Sequence, residues 1–242
     1  QMCPFKALSV AGSNTETALE TVTLPHAPEV IDVPPVDSFR RPPRLSLAIR
    51  GVGGQGNLFF GKVLAQVAFL AGYDDRNILK GETHGMAQMG GPVISTFGCG
   101  EVFSPALVPG TANVLIAMEK AEVLRPGFLD LLEPGGTVLM ADTHILPHGL
   151  KPEAYPSDEA IAAQLEGYRV VSVDVLSIAL NLGDPKGRCA NVAMLGVLST
   201  LPPFDVVPEA VWLQALRGIS RKPALWDLNH AAFMAGRGMQ KG

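Results

Sequence analysis

Apolar residues follow two rhythms along this chain. Short, nearly continuous runs have strand length: "LSLAI" at 45–49, "PVISTFGCG" at 92–100, "NVLIAM" at 113–118, "GGTVLMAD" at 135–142 and "YRVVSVDV" at 168–175. They predict a buried sheet. Longer stretches carry apolar positions at helical spacing and predict helices at 57–72, around Lys120 to Leu132, and at 157–167, 191–200, 208–219 and 229–238. Strands alternating with helices is the pattern of an α/β domain with a largely parallel sheet and flanking helices. No internal repeat is visible.

The rhythm begins only at Arg44. The stretch "TLPHAPEVIDVPPVDSFRRPP" before it holds six prolines and no sustained periodicity. Proline removes backbone donors and disfavours helix, so an extended, polyproline-like linker is expected over 9–43. The division expected is therefore 1–8, the linker 9–43, and one domain at 44–242. The first eight residues, "QMCPFKAL", contain a Cys-Pro pair. Such a pair closes the C-x2-C-x2-C-x3-C-P run of bacterial ferredoxins. Two readings stand here: the end of a longer polypeptide with a ferredoxin-like [4Fe-4S] domain upstream, or an ordinary tail.

Composition narrows the function classes. The net charge of −4 and pI of about 5.7 argue against a nucleic-acid footprint. Hydrophobic residues make up 47% of the chain and mean hydropathy is +0.23, so extensive burial, including against partner chains, is expected. No apolar run reaches membrane-span length, and the first residues lack a signal-peptide pattern. Cys3, Cys99 and Cys189 lie far apart and make no disulfide framework; a reducing cytoplasm is the compartment expected.

Two loops carry candidate chemistry. Gly51, Gly53 and Gly56 in "GVGGQG" match G-x-G-x-x-G between a predicted strand and a predicted helix. Glycines allow close backbone approach, and the helix N-terminus behind them favours an anion. A nucleotide-binding oxidoreductase using NAD or FAD through Gly51–Gly56 is one reading, and a packing turn is another. The dinucleotide reading wants a second strand ending in an acidic residue. Asp74 and Asp75 stand at the right distance, but no apolar strand leads into them, and "AGYDDRNILKGE" reads as a helix-ending turn. The second loop, "GETHGMAQMGGPV" at 81–93, sets Glu82, His84 and Gln88 among glycines that include Gly85 and Gly90. These side chains can hydrogen-bond or move protons. The alternative is an exposed edge with Met86 and Met89 filling core gaps.

Taken together, "GVGGQGNLFFGKVLAQVAFLAGY" and "ETHGMAQMGGPVISTFGCG" resemble the gamma-type domain of 2-oxoacid:ferredoxin oxidoreductases, closest to the indolepyruvate type. The likeness runs from about Arg44 to Gly236 and includes "NVAMLGVLS" and "KPALWDLNHAAFMAG". The resemblance implies oxidative decarboxylation of a 2-oxo acid with coenzyme A, giving an acyl-CoA, carbon dioxide and electrons for ferredoxin. It implies thiamine diphosphate and Mg²⁺ held mainly by other regions of the complex; no G-D-G…N diphosphate motif occurs here, and "LGDPKG" is too short. It implies a partner alpha region or subunit whose ferredoxin-like end reads like "CPFKAL", so that Cys3 ligates a [4Fe-4S] cluster, and an oligomeric assembly. It places Gly51, Gly53, Gly54, Gln55, Gly56, Glu82, Gly85 and Gln88 at the cofactor-facing cleft, with His84 as the catalytic candidate. Many relatives carry a basic residue where this chain has Met89, a departure that weakens phosphate binding there. A non-catalytic assembly module is the remaining alternative.

Other polar and aromatic residues read as structural. Asn191 and Asn229 are expected to cap helix starts. His230 is expected on a helix face. His144 and His148 share a turn-rich loop that denies them metal-binding helical spacing. Trp212 and Trp226 are expected to fill a core or a subunit contact.

Overall fold

A computed structural model describes residues 22–82, 91–146, 152–220 and 222–239. Six strands form one sheet: β1 (Arg44–Val52), β2 (Ile78–Glu82), β3 (Pro92–Gly100), β4 (Ala112–Ala117), β5 (Leu132–Ala141) and β6 (Arg169–Val173). Their spatial order is β2-β3-β1-β4-β5-β6. β4, β5 and β6 run parallel to β1, while β3 is antiparallel to both β1 and β2. Only β3 is therefore reversed, and the sheet is largely parallel as predicted.

Successive side chains of a strand point to opposite faces, and both faces here are covered. Leu47, Ile49, Val114, Ile116, Leu139 and Ala141 enter one core, while Ala48, Leu115, Ala117, Val138 and Met140 enter the other. The first core is roofed by α1 (Asn57–Leu70), α4 (Ala190–Leu198), α5 (Glu209–Ile219) and α6 (Pro223–Gly238). The second is closed by Val123, Phe128 and Leu129 from short 3-10 turns and by Ile161 of α2 (Asp158–Gln164). α3 (Val175–Asn181) links β6 to α4. Trp212 and Trp226 are buried in the first core, as expected.

Four sequence-based expectations change. The stretch expected as a turn before the second loop is strand β2, paired with β3 from Ile78↔Cys99 to Glu82↔Ser95. It is an edge strand with half-exposed residues, so no apolar run announces it. The helix expected at Lys120–Leu132 is two 3-10 turns, Lys120–Leu124 and Leu129–Leu131, split at Pro126-Gly127, and Leu132 opens β5. The last strand stops at Val173 because Asp174 caps α3, accepting from the Ser177 N–H at 2.9 Å. The last helix begins at Pro223, whose missing N–H suits a first turn, so Asn229 lies inside it. Asn229 caps nothing and donates to the Ser220 hydroxyl at 2.8 Å.

The proline-rich segment is extended from residue 22, with one 3-10 turn at Val36–Ser38, and it lies docked. The Ala27 N–H donates to Asp227 at 2.8 Å, and the Trp226 indole donates to the Pro28 carbonyl at 3.0 Å. Farther along, the Tyr73 hydroxyl donates to the Pro42 carbonyl at 2.7 Å and Arg41 to the Gly72 carbonyl. Proline supplies carbonyl acceptors without competing donors, which suits a segment held by its neighbours' side chains.

Candidate functional site

In open parallel sheets, ligands bind outside the carboxyl ends of strands where the crossovers diverge to opposite faces. β1 and β4 are such a pair. The connection from β1 runs through α1 on one face, and that from β4 through the 3-10 turns on the other. The Gly51–Gly56 loop closes β1 at this edge, and Glu82 ends β2 there. Pro92, where the second loop rejoins the sheet, faces Val52. His84, Gly85 and Gln88 lie outside the described residues, as do Met86, Met89 and Cys3. The last residue of the second loop does touch the first: the Gly53 N–H donates to the Gly91 carbonyl at 3.0 Å.

Gln55 holds the glycine loop in place. Its carbonyl accepts from the Val52 N–H at 2.7 Å, and its amide donates to the Met118 carbonyl at 2.7 Å. One side chain thus ties the end of β1 to the end of β4. Gly54 and Gly56 adopt φ of 98° and 86°, open to glycine and strained for other residues. A side chain on Gly56 would also collide with the Asn191 amide, whereas one on Gly54 would meet nothing within 4 Å. The loop is therefore open at its tip and closely backed at its end.

That backing is polar and unpaired. Asn57 opens α1 and is 7% exposed; Asn191, in the first turn of α4, is 9% exposed. Neither Oδ1 nor Nδ2 of Asn57 has a hydrogen-bond partner, and neither does Oδ1 of Asn191. A buried polar atom without a partner costs on the order of 1–3 kcal/mol. Asn191 thus does not cap α4, contrary to the sequence-based expectation. The N-termini of α1 and α4 both lack a side-chain cap and both meet this loop. Sequence reasoning missed Asn57 altogether and read Asn191 as a cap, because their shared neighbour is a loop more than a hundred residues from α4.

Beside the loop, Glu119 follows β4 and is buried. It accepts from the Tyr155 hydroxyl, and from the Ile145 N–H at 3.4 Å. Burial pushes its carboxyl above the usual range. Lys120 spans Asp142 at 2.6 Å and Asp158 at 3.1 Å, and His144 approaches Asp158 at 3.4 Å. An acidic residue directly after a parallel strand was the available sequence signal for Glu119. Glu82 pairs with Lys80 at 3.4 Å and lies against α1 near Gly61.

The dinucleotide reading fits this geometry poorly. Asp74 and Asp75 precede β2 and so lie at the opposite edge from the glycine loop, and β3 separates β2 from β1. Two of the loop's amides are engaged, Gly53 with Gly91 and Gln55 with the Val52 carbonyl at 3.2 Å, which reduces what a pyrophosphate could use. Burial pushes the Cys99 and Cys189 thiols up to about 12, leaving both protonated at neutral pH. Among the described residues no group of three or more His, Cys, Asp or Glu could hold a metal ion, and no helix is long and apolar enough to cross a membrane.

Residues 46–239 match the family model for pyruvate ferredoxin/flavodoxin oxidoreductase. The chain belongs to this family. It is 35% identical over 159 residues to the indolepyruvate oxidoreductase subunit IorB of Archaeoglobus fulgidus, covering 64% of this chain and 76% of that one. The fold superposes on pyruvate oxidoreductase subunit PORC of Thermotoga maritima with a TM-score of 0.60 at 20% identity, over 81% of this chain and 97% of that one. It superposes equally, TM-score 0.60 at 19% identity, on the 2-oxoglutarate:ferredoxin oxidoreductase of Magnetococcus marinus, over 83% of this chain and 32% of that one. That structure contains 2-oxoglutarate, coenzyme A and succinyl-CoA. The expected α/β gamma-type domain is thus the observed one. Membership of a 2-oxoacid:ferredoxin oxidoreductase complex follows from the family.

Proposed function

We propose that this chain completes the coenzyme A side of the reaction cleft in an arylpyruvate-class 2-oxoacid:ferredoxin oxidoreductase, with indolepyruvate as the leading substrate class. The enzyme so formed converts a 2-oxo acid and coenzyme A to an acyl-CoA, carbon dioxide, a proton and two electrons, which leave to ferredoxin. Thiamine diphosphate with Mg²⁺ supplies the carbanion chemistry. In this reading it is held mainly by other regions of the complex. The observation that carries this reading is the meeting of the Gly51–Gly56 loop with Gly91 at the carboxyl end of β1, on its β3 side, while Gln55 ties the same loop to the end of β4. The glycine loop itself closes β1 beside β4, where such sheets bind ligands, and the hydrogen bond to Gly91 brings the second loop against it. The coenzyme A seen in the Magnetococcus marinus relative supports it.

In this reading Gln55 fixes the loop and the tip at Gly54 admits the ligand. Glu82 borders the cleft from β2, and Gly85 and Gln88 are assigned to cofactor binding with it. His84 orients the substrate or thioester oxygen by a hydrogen bond. Cys3 ligates a [4Fe-4S] cluster shared with upstream sequence, the 9–43 segment links it to the domain at 44–242, and the assembly works in the cytoplasm as an oligomer. In the assembled enzyme, His84→Ala slows 2-oxo acid oxidation about ten-fold, the scale of one active-site hydrogen bond, with an unchanged melting temperature. Wild-type kcat/KM for both the 2-oxo acid and coenzyme A in that variant would return the second loop to a structural role. Residues 44–242 alone turn over no 2-oxo acid. Cys3→Ala in the full-length protein lowers iron content while decarboxylation chemistry survives; unchanged iron would remove the cluster assignment.

A further inference from the structure

The unpaired asparagines say more about the ligand than the glycine motif does. Behind the loop stand two free carbonyl acceptors, Asn57 Oδ1 and Asn191 Oδ1, and one free amide donor, Asn57 Nδ2. Both side chains are more than nine-tenths buried, and both face the loop: Asn57 Oδ1 lies 3.4 Å from where a Gly51 Cβ would stand, and the Asn191 amide abuts Gly56. The two uncapped helix starts add positive potential.

Each simple ligand can be matched against that inventory. A phosphate brings only acceptors at neutral pH, so it would face two carbonyl oxygens with nothing to donate. A metal cation would be welcomed by the carbonyls but repelled by Asn57 Nδ2 and the helix N-termini. A neutral ligand that both donates and accepts matches both kinds of atom, and two N–H or O–H donors with one carbonyl satisfy all three. A trans secondary amide projects its N–H and C=O to opposite sides. It can donate to one asparagine while accepting from the other across the loop. We propose that Asn57 and Asn191 form an amide-reading subsite for a neutral, pantetheine-type arm, and that any phosphates of the same ligand lie outside it. This rests on the reading that the β1/β4 edge faces the coenzyme A cleft, and it names the part of that ligand bound here.

The test uses the full 242-residue chain with two probes, pantetheine and inorganic pyrophosphate, followed by ligand-detected NMR and thermal melting. Pantetheine binds the wild type and is not displaced by pyrophosphate. Asn191→Leu raises the melting temperature by a few degrees, since an unpaired buried amide is replaced by an apolar group of similar size, and weakens pantetheine about five-fold or more. Asn57→Ser, which keeps a residue suited to a helix start, weakens it similarly. The proposal is overturned if wild-type protein binds no pantetheine, if pyrophosphate displaces it, or if Asn191→Leu lowers the melting temperature or leaves binding unchanged. A parallel measurement separates this from the wider reading. If the coenzyme A KM of the assembled enzyme responds to Gly54→Val while pantetheine ignores both asparagines, the subsite falls and the cleft stands. If neither responds, both fall.

Discussion

The two ends of the β1/β4 strand pair each bury asparagine to a similar depth and treat it in opposite ways. At the amino end Asn113 is 6% exposed, and its polar atoms are paired. Its Oδ1 accepts from the Ser46 N–H at 2.7 Å and the Ser46 hydroxyl at 3.2 Å, while Nδ2 donates to Glu133 at 2.7 Å. Glu133 in turn takes Arg44 at 2.8 Å. At the carboxyl end Asn57 and Asn191 are as deeply buried and have three unpaired atoms between them. Burial and residue type are matched, so the contrast isolates satisfaction. One end closes the domain; the other keeps polar groups that the fold itself does not use, at the edge where the cleft is proposed.

The sharpest way to break the contrast is to repeat at the amino end the change expected to stabilise the carboxyl end. Asn113→Leu strands the Ser46 N–H and half of the Glu133 carboxylate. It should cost about 3 kcal/mol, or roughly 10 °C in melting temperature for a domain of this size. A neutral outcome would show that pairing state does not govern these buried amides. Next comes Gln55→Leu, which removes the brace at the carboxyl end and leaves the Val52 N–H and Met118 carbonyl unsatisfied. The expected loss is about 2 kcal/mol by denaturant titration. A loss as large as that for Asn113→Leu would make the two ends equally structural. Gly54→Ala should cost about 1 kcal/mol, from backbone strain alone, because open space surrounds the position. A larger loss would mean that the loop tip is packed against something.

The smallest effect concerns the docked proline segment. The Ala27 N–H, and after it His26, hold the Asp227 carboxyl below its usual range. The folded state therefore favours the charged form. That contribution is present above the ordinary aspartate pKa of about 3.9 and is lost as pH falls through the lower folded value. Trp226 fluorescence, reporting the indole bond to Pro28, should change below about pH 4. Asp227→Asn should abolish that acid step while fluorescence at neutral pH stays close to wild type.

How much of this was legible in the sequence depends on the range of the interaction. β1, the glycine loop and α1 were legible because an apolar run, a glycine turn and a helical stretch are all local signals. β2 was not, because "ILKGE" is half exposed and becomes a strand only by pairing with β3. The helix expected after β4 failed because apolar spacing there serves a core that two 3-10 turns reach around Pro126-Gly127. At the site, the glycines were legible by motif and Gln55 by adjacency, but the brace to Met118 was not. Asn191 was read as a cap from its place in sequence. That its Oδ1 lacks a partner is visible only once α4 is set against Gly56.

The docked proline segment also changes a leash length. Cys3 lies 23 residues before His26 and 41 before Arg44. A chain reaches at most about 3.5 Å per residue, so anchoring at His26–Pro28 shortens the outer reach of Cys3 from roughly 140 Å to roughly 80 Å. The sphere bounded by that reach is about five-fold smaller. A contact made by one carboxylate and one indole thus sets the outer bound on how far Cys3 can lie from the domain.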